Sequence, residues 1–300
     1  MAIEVAGLYT YPIKSCAPIA LDEARLTPRG LQYDRDWMVV GGNNQFLTQR
    51  VHPEMSLIAS GLGDDTLDVT APTGDQLAVP LDANETIAND IVEVDVFKKK
   101  GLGIDQGPEA AAFFSDYLGK RARLLRIVQP RYVNPDYRVP GATSLMGFAD
   151  GFPILLASMV SLEALNEHLD EPISINRFRP NIVVDGSSLK AYDEDYWRTI
   201  QIGNLRAYVV RACDRCPVPN IDQAEGVLPK PADRAVTQVL RQTRHGIDPS
   251  NGKDGEFFAQ NLVHEYTPGV TIRLGDKLAI LKSSTKPNFE PLSSALSEHE

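Results

Sequence analysis

The sequence predicts an α+β chain that is mostly β, in which an N-terminal β-barrel-like domain precedes a second β-barrel domain with a few helices. Residues 1–128 are dominated by short apolar runs between turn residues, the pattern of antiparallel strands. From residue 152 onward, strands alternate with segments of helical periodicity. We therefore expect domains at 1–128 and 152–283, a linker or lid loop at 129–151, and a disordered tail at 284–300.

The N-terminal part predicts hairpins and one helix. The runs "WMVV" and "QFLTQR" flank "GGNN", and "TLDVTAP" and "QLAVPL" flank "TGD"; both are hairpin patterns. The segment "IVEVDVF" alternates apolar and acidic residues, as a strand with one exposed face does. A helix is predicted from Pro108 to Gly119, because proline suits a first turn and glycine suits a helix end. The run "ARLLRIV" follows as a strand.

The second part opens with the strand "FPILLA" and a helix over "SMVSLEALNEHLD", with Ser158 as its N-cap. Apolar residues of that helix recur on one face, at Met159, Leu162, Leu165 and Leu169. The run "WRTIQIGNLRAYVVRAC" predicts a hairpin through "GN", and "PADRAVTQVLRQTR" predicts a helix that begins at Pro231. The segments "EFFAQNLVHEY", "VTIRLG" and "KLAILK" predict closing strands.

Composition excludes several classes of protein. Of 300 residues, 43% are hydrophobic and 23% are charged, as in globular domains. The net charge of −10 disfavours sequence-independent binding to nucleic acid, although a local basic pocket for a small anion stays compatible with it. Three cysteines fit a reducing compartment better than a disulfide scaffold. No apolar run approaches the ~20 residues of a membrane span, and the N-terminus resembles a strand, so we expect a cytoplasmic protein without membrane contact.

The stretch "RACDRCPVPNID", residues 211–222, holds a closely spaced cysteine pair. A structural zinc site needs four ligands, and only Cys16 remains beyond the pair. A redox pair is expected at a helix start, which the two following prolines oppose. The remaining interpretations are a lone metal ligand and two half-buried thiols at a strand end. Arg211 and Arg215 favour a thiolate if both point at the sulfur atoms.

Two further stretches carry arginine or lysine in positions suited to an anion. In "RFRPNIVVDG", Arg177 and Arg179 share a face if the segment is extended, and such a pair suits phosphate or carboxylate; two solvated charges are an equal alternative. In "YPIKS", Lys14 and Ser15 follow a strand, where a lysine and a hydroxyl form an anion cradle or an ordinary turn.

In "GLQYDRDW", Arg35 stands between Asp34 and Asp36. The plain interpretation of this stretch is a surface ion pair, which contributes little to stability.

Taken together and in this order, the quoted motifs resemble a known family, although no single motif is enough to identify it. "YPIKSC", "GLQYDRDW", "SLEALN", "RFRPNIVVDG" and "CDRCPVPNID" together resemble the MOSC superfamily, over roughly residues 3–282. The similarity is to its two-part members, in which an N-terminal β-barrel domain precedes the MOSC domain. These members include mitochondrial amidoxime-reducing components and bacterial reductases of N-hydroxylated compounds.

The resemblance implies a molybdenum cofactor, in which the metal is held by the dithiolene of a pyranopterin that carries a phosphate. It assigns Cys216 as the metal ligand, with Cys213 as a close neighbour, and a soft thiolate suits such a centre. Asp222 is either a proton carrier or a residue that folds its loop, and we favour the second role. The other cofactor-binding positions that match the family's pattern are Lys14, Ser15, Arg35, Ser158, Arg177, Arg179 and Arg215.

The implied activity is reduction of N-hydroxylated small molecules, namely amidoximes, hydroxylamines and hydroxylated base analogues. The sequence shows neither an iron–sulfur cysteine set nor a dinucleotide fingerprint, so electrons are expected from a separate flavin or iron–sulfur reductase. Two alternatives stay open. One is a cofactor carrier or sulfur-handling protein with a persulfide on Cys213 and no pyridoxal cofactor; the other is an interaction module that binds no molybdenum.

Overall fold

The computed structural model describes residues 2–82, 91–97 and 99–292. Most of the regular structure in these ranges is antiparallel strand, which confirms the predicted mostly-β class. The strands of the first half are β1 (Glu4–Thr10), β2 (Ile19–Ala20), β3 (Glu23–Thr27), β4 (Gly30–Leu31), β5 (Trp37–Gly41), β6 (Ala59–Leu62), β7 (Thr66–Thr70), β8 (Gln76–Pro80), β9 (Ile91–Val96), β10 (Lys99–Asp105) and β11 (Ala122–Gln129).

The second half adds eleven strands and two of the three helices that the described residues form. Its strands are β12 (Arg131–Tyr132), β13 (Leu145–Met146), β14 (Ile154–Ser158), β15 (Ile182–Asp185), β16 (Trp197–Ile202), β17 (Leu205–Asp214), β18 (His245–Ile247), β19 (Asp254–His264), β20 (Thr271–Arg273), β21 (Leu278–Ser283) and β22 (Glu290–Pro291). The helices are α1 (Pro108–Leu118), α2 (Met159–Asn166) and α3 (Ala235–Thr243).

The largest sheet combines strands from both ends of the chain. Its order is β2-β1-β15-β14-β19-β17-β16-β21, with β18 joined to β19 and to β22. The first strand enters it antiparallel to β15, with Glu4 opposite Asp185 and Leu8 opposite Ile182. Strand β3 likewise pairs with β20 near the C-terminus. Hydrogen bonds between strands therefore connect the two predicted domains. The domain boundaries at residues 128 and 152 stay a prediction from the sequence.

A second sheet, β5-β11-β10-β9, belongs to the N-terminal part alone. Beside it, α1 packs Phe114 into a core that also contains Trp37, both fully buried. The helix ends as predicted, because Gly119 adopts a left-handed conformation with φ 61°. Strands β7 and β8 form the predicted hairpin, and β9 alternates exposed and buried residues as expected.

Three predicted elements differ from the structure. The "GGNN" turn is followed by two isolated bridges, Val40 to Phe46 and Gln45 to Asp95, and then by a turn rather than a second strand. Helix α2 ends at Asn166, so Leu169 lies beyond it. Helix α3 begins at Ala235, because the residues from Pro231 form a separate 3-10 turn.

The predicted linker, residues 129–151, is tied down along its length. It contains the short pair β12–β13. Arg131 is buried and donates hydrogen bonds to the carbonyl oxygens of Ala149 at 2.6 Å and Val96 at 3.2 Å. The backbone N–H of Thr143 donates to the His264 carbonyl at 2.8 Å. These bonds fix the segment against both halves of the chain.

The tail is ordered further than predicted, which corrects the expectation of disorder from residue 284. Strand β22 pairs with β18, and Phe289 is buried between them and the large sheet. Its ring stacks on Phe257 with centroids 4.8 Å apart. Burial of this aromatic ring opposes the disorder that the polar composition predicts. The remaining tail, 293–300, lies outside the described residues.

No helix in the described part of the chain is long and apolar enough to cross a membrane.

Phe289→Ala tests the docking of the tail. Removing a buried, stacked ring should lower the free energy of unfolding by about 3 kcal/mol. Leu292→Ala is the matched control, because that side chain is exposed and its loss should change the free energy by no more than about 0.5 kcal/mol. Urea denaturation measures both. Equal stability of the wild type and Phe289→Ala would show that the tail does not pack in solution.

Candidate functional site

A pocket lies where the end of β1, the end of the 129–151 segment and the loop after β17 converge. It measures about 160 Å³, room for on the order of ten water molecules. Its charged and thiol-bearing lining residues come from distant parts of the sequence: Lys14, Arg35, Arg50, Asp150, Arg179, Arg215, Cys213 and Cys216.

Two adjacent backbone segments place the N-terminal members of the pocket. The backbone N–H of Lys14 donates to the Trp37 carbonyl at 2.8 Å, and that of Arg35 donates to the Tyr11 carbonyl at 2.9 Å. Ser15 and Arg35 adopt left-handed conformations, with φ of 72° and 51°. Such conformations are uncommon for residues with a Cβ atom, and they turn both segments toward the pocket.

The loop before β14 approaches these segments closely at Gly147. A Cβ atom at that position would lie 2.6 Å from the Arg35 carbonyl oxygen, so a larger residue would force the backbones apart. The next residue, Phe148, donates its backbone N–H to the same Arg35 carbonyl at 2.7 Å. This contact brings Asp150 to the pocket edge.

Asp34 connects three parts of the site. Its buried carboxylate accepts hydrogen bonds from the Tyr11 backbone N–H at 3.0 Å and the Asn181 side chain at 2.9 Å. It also forms an ion pair with Arg35, at 2.6 Å. The prediction of a surface ion pair here is therefore wrong, because β1 and Asn181 cover the carboxylate from solvent.

Arg35 and Arg179 share one aromatic platform. Each guanidinium carbon lies 4.2 Å from the centroid of the buried Tyr11 ring. Arg179 also donates to the Cys16 carbonyl at 2.8 Å, but its buried Nη2 atom has no hydrogen-bond partner. Burial lowers the pKa of Arg179 to about 10, which leaves it charged at neutral pH. A buried, charged donor without a partner is a position where an anion binds favourably.

Asp150 bridges two other cations of the pocket. Its carboxylate contacts the Lys14 ammonium group and, at 3.0 Å, the Arg50 guanidinium. Lys14 also donates to the Phe148 carbonyl at 2.8 Å. Burial lowers the pKa of Lys14, and Asp150 opposes that shift. The walls of the pocket partly desolvate the Asp150 carboxylate, which disfavours its ionisation, but the positive charges of Lys14 and Arg50 outweigh this effect and hold the pKa of Asp150 below its usual range.

The two thiols of the pocket each lie beside an arginine. Arg50 lines the pocket together with Cys216, close enough for the two side chains to interact electrostatically. Arg215 Nη1 lies 2.9 Å from the Cys213 sulfur, and Arg215 Nη2 donates to the Phe178 carbonyl at 2.9 Å. Arg211, the other predicted neighbour, instead forms an ion pair with Asp248 at 2.6 Å.

The pocket is therefore strongly cationic within an acidic protein. Lys14 and Arg50 share the carboxylate of Asp150, and Arg35 is paired with Asp34. Arg179 has no carboxylate ion-pair partner among the described residues. Uncompensated buried cations need an anionic partner, so the arrangement suits a phosphate-bearing ligand.

The structure does not bring three predicted site residues to this pocket. Ser158 is the N-cap of α2 as predicted, but its hydroxyl makes no capping bond and is buried without a partner. Arg177 lies 3.6 Å from Asp222 and lines a separate cleft beside α3. Asp222 accepts the backbone N–H groups of Ala224 and Glu225, which lower its pKa. These bonds favour a role in folding the loop.

Arg177 and Arg179 diverge because their segment is not extended. Residues Ile175–Phe178 form a 3-10 turn that Ser174 caps through the Asn176 N–H, and Arg179 follows with φ 58°. Phe178 is buried and stacks on Phe258, with centroids 4.0 Å apart. The expectation that both arginines share a face is therefore wrong.

Several lining residues were not identified from the sequence. Gln49 and Arg50 lie in "QFLTQR", which alternation assigned to a hairpin strand, and Asp150 lies in a segment without periodicity. Asn181 and Asn261 are pocket residues within predicted strands. Only long-range packing distinguishes these polar residues from solvated ones. Nowhere in residues 2–82, 91–97 and 99–292 is a group of three or more His, Cys, Asp or Glu placed to hold a metal ion.

Two family matches cover most of the chain. Residues 2–121 match the MOSC N-terminal beta barrel domain, and residues 144–279 match the MOSC domain. The chain therefore belongs to the MOSC family, in the two-part form with an N-terminal beta barrel domain. This confirms the resemblance inferred from the ordered sequence blocks.

The relatives of this chain include amidoxime-reducing components. Mitochondrial amidoxime-reducing component 1 of Mus musculus is 32% identical, over 92% of this chain and 82% of the relative. Mitochondrial amidoxime reducing component 2 of Bos taurus is 34% identical, over 75% of this chain and 68% of the relative. Molybdenum cofactor sulfurase of Oryza sativa is 30% identical over 81% of this chain, which spans only 31% of that longer protein.

Thiol labelling tests the arrangement of cysteines. Cys213 and Cys216 are partly exposed, whereas Cys16 is fully buried and burial raises its pKa to about 12. In folded protein without cofactor, N-ethylmaleimide should modify Cys213 and Cys216, and Cys16 only after unfolding. Peptide mass spectrometry measures each site. Rapid modification of Cys16 in folded protein would contradict the packing at the end of β1.

Proposed function

We propose that the protein is a molybdenum-dependent reductase of N-hydroxylated compounds that receives electrons from a separate donor protein. The main observation behind this proposal is the pocket, which places the Cys216 thiol beside a cluster of cations whose positive charge is only partly balanced by carboxylates. The names of the mouse and bovine relatives support the reaction class. Amidoximes and hydroxylamines are the proposed substrates.

The pocket fits a molybdenum cofactor on two counts. The unpartnered Nη2 atom of Arg179 offers a donor to an anionic group, and Lys14, Arg35 and Arg50 add positive charge around it. Cys216 offers one soft thiolate, which suits a metal whose other sulfur ligands come with the cofactor. The anion site and the thiol lie in one cavity, as a ligand with both a phosphate and a metal requires.

Each residue has a defined task in this proposal. Lys14, Ser15, Arg35, Arg179 and Arg215 bind the anionic part of the cofactor, and Cys216 holds the metal. Arg50 lies beside Cys216 in the pocket, and its positive charge favours the thiolate that holds the metal. The bound cofactor supplies two-electron reduction of the N–O bond, while the protein orients the substrate and limits access of water.

Among the described residues, neither the three free cysteines nor any cluster of His, Cys, Asp or Glu forms a second redox centre. A separate electron donor is therefore part of the proposal. A flavin or iron–sulfur reductase is the proposed class of partner. Cytoplasmic localisation stays a prediction from the sequence.

A second candidate is a cofactor carrier or sulfur-handling protein. Cys213 lies in the same pocket, and Arg215 is 2.9 Å from its sulfur atom. Such a contact stabilises a thiolate or persulfide. The similarity to a molybdenum cofactor sulfurase supports this alternative. A carrier binds the cofactor but does not oxidise a reduced donor when substrate is added.

Cysteine variants test the assigned ligand. Cys216→Ala should lose most bound molybdenum and all reductase activity, because it removes the proposed metal ligand. Cys213→Ala is the matched control and should retain molybdenum. Metal analysis of protein from a cofactor-competent host, with a cofactor-deficient host as background, measures both. Equal loss of molybdenum in the two variants would indicate a shared two-cysteine site.

Turnover distinguishes the reductase from the carrier. Molybdenum-loaded protein should reduce benzamidoxime under anaerobic conditions with reduced methyl viologen, a one-electron donor. It should be inactive with NADH alone, because the sequence offers no nicotinamide-binding fingerprint. Product formation is measured by chromatography. Full metal occupancy without turnover on benzamidoxime or hydroxylamine would refute the reductase and favour the carrier.

A further inference from the structure

Two carboxylates contact the cations of the pocket, and they are held in different ways. Asp34 is buried and accepts hydrogen bonds from Tyr11 and Asn181 in addition to its pair with Arg35. The side chain of Asp150 is 51% exposed. Among the described residues, its hydrogen bonds go only to two pocket cations. Asp34 is therefore part of the framework, whereas Asp150 is a counter-ion on the pocket surface.

The positive charge of the pocket is only partly compensated from within. Asp150 compensates Lys14, which is buried, and Arg50, which lies at the pocket edge. Arg179 retains a buried donor atom without a partner. An anion that enters to contact Arg179 therefore meets both uncompensated positive charge and the negative charge of Asp150.

We propose that Asp150 is an internal counter-ion that neutralises Lys14 and Arg50 before an anion binds, and yields them to a phosphate group when one enters. A phosphate dianion and the Asp150 carboxylate cannot both contact these cations without mutual repulsion. Asp150 thereby weakens the binding of simple anions. A ligand that also engages other groups of the pocket overcomes this competition, so Asp150 contributes to specificity.

The local structure permits the exchange without movement of the loop. The backbone on the N-terminal side of Asp150 is fixed, because Lys14 binds the Phe148 carbonyl at 2.8 Å and Arg131 binds the Ala149 carbonyl at 2.6 Å. The Asp150 side chain is half-exposed, so its carboxylate can rotate toward solvent while the backbone stays in place.

Binding of inorganic phosphate to the cofactor-free full chain tests the proposal. Asp150→Asn keeps the shape of the side chain and a carbonyl acceptor for Lys14 and Arg50, but it removes the charge. Its dissociation constant for phosphate should fall about tenfold, the effect of one unit charge on a dianion a few ångströms away in a hydrated site. Isothermal titration calorimetry at constant ionic strength measures this change.

The matched control is Asp136→Asn. Asp136 lies in the same 129–151 segment, is exposed and does not line the pocket. This substitution makes the same change in net charge, so its dissociation constant for phosphate should equal that of the wild type. Adding Arg179→Gln to Asp150→Asn should remove most of the gain, which would locate the bound phosphate at the pocket.

Thermal unfolding gives a second measurement that a purely structural role would not reproduce. In chloride buffer, Asp150→Asn should melt below the wild type, because Lys14 and Arg50 then repel each other without compensation. Saturating phosphate should raise the melting temperature of this variant more than that of the wild type. A lower melting temperature with no larger phosphate response would instead show that Asp150 only orients the two cations.

Two outcomes of the titration would overturn the proposal. Unchanged or weaker phosphate binding by Asp150→Asn would exclude competition by the carboxylate. An equal gain in phosphate affinity in Asp136→Asn would show that the effect comes from the net charge of the protein and not from the position of Asp150. Neither outcome depends on the reductase proposal, whose failure would be seen in metal content and turnover while the phosphate result stood.

Discussion

The pairing of the first strand with β15 is the interaction on which the rest of the structure depends. It places the N-terminal segment of the chain in the sheet of the C-terminal half, with Leu8 opposite Ile182. The same contact continues beyond the paired residues, because the backbone N–H of Tyr9 donates to the Asn181 carbonyl at 2.9 Å and the Tyr11 hydroxyl donates to the Pro180 carbonyl at 3.1 Å. Residues that follow β1 therefore meet residues that precede β15, and the pocket forms at this junction.

Cations concentrated at that junction need partners for their charge, and the structure partners some of them fully and others only in part. Asp34 compensates Arg35 within a buried hydrogen-bond network, and the Tyr11 ring lies against both Arg35 and Arg179. Desolvation of a charge is costly unless partners replace water. The buried Nη2 atom of Arg179 lacks such a partner. Anion binding at this atom therefore removes an existing energetic penalty, so an acidic protein can still offer a favourable site for an anion.

The thiols belong to a different part of the chain: Cys213 lies at the end of β17 and Cys216 in the loop that follows, and both line the same cavity. Arg50 connects the two groups of residues, because it forms an ion pair with Asp150 and interacts electrostatically with Cys216. A thiol and an anion site joined in this way are suited to one extended ligand rather than to two separate ones. The chain belongs to the MOSC family, and the combination of a thiol and an anion site in one pocket is consistent with the ligand proposed on that basis.

The sequence was sufficient for the class of fold, the helix end at Gly119, the hairpin of β7 and β8, and the family, because these depend on local periodicity, turn residues and ordered motifs. Tertiary structure decided the rest of the site. Arg179 enters the pocket while Arg177 leaves it, because burial of Phe178 imposes a 3-10 turn on a segment that alternation predicts as extended. Arg50 and Asp150 are distant in sequence and join at the pocket only because long-range contacts fix their loops. Local patterns report the preferences of neighbouring residues, whereas electrostatic compensation of a buried charge depends on which distant groups packing brings within a few ångströms.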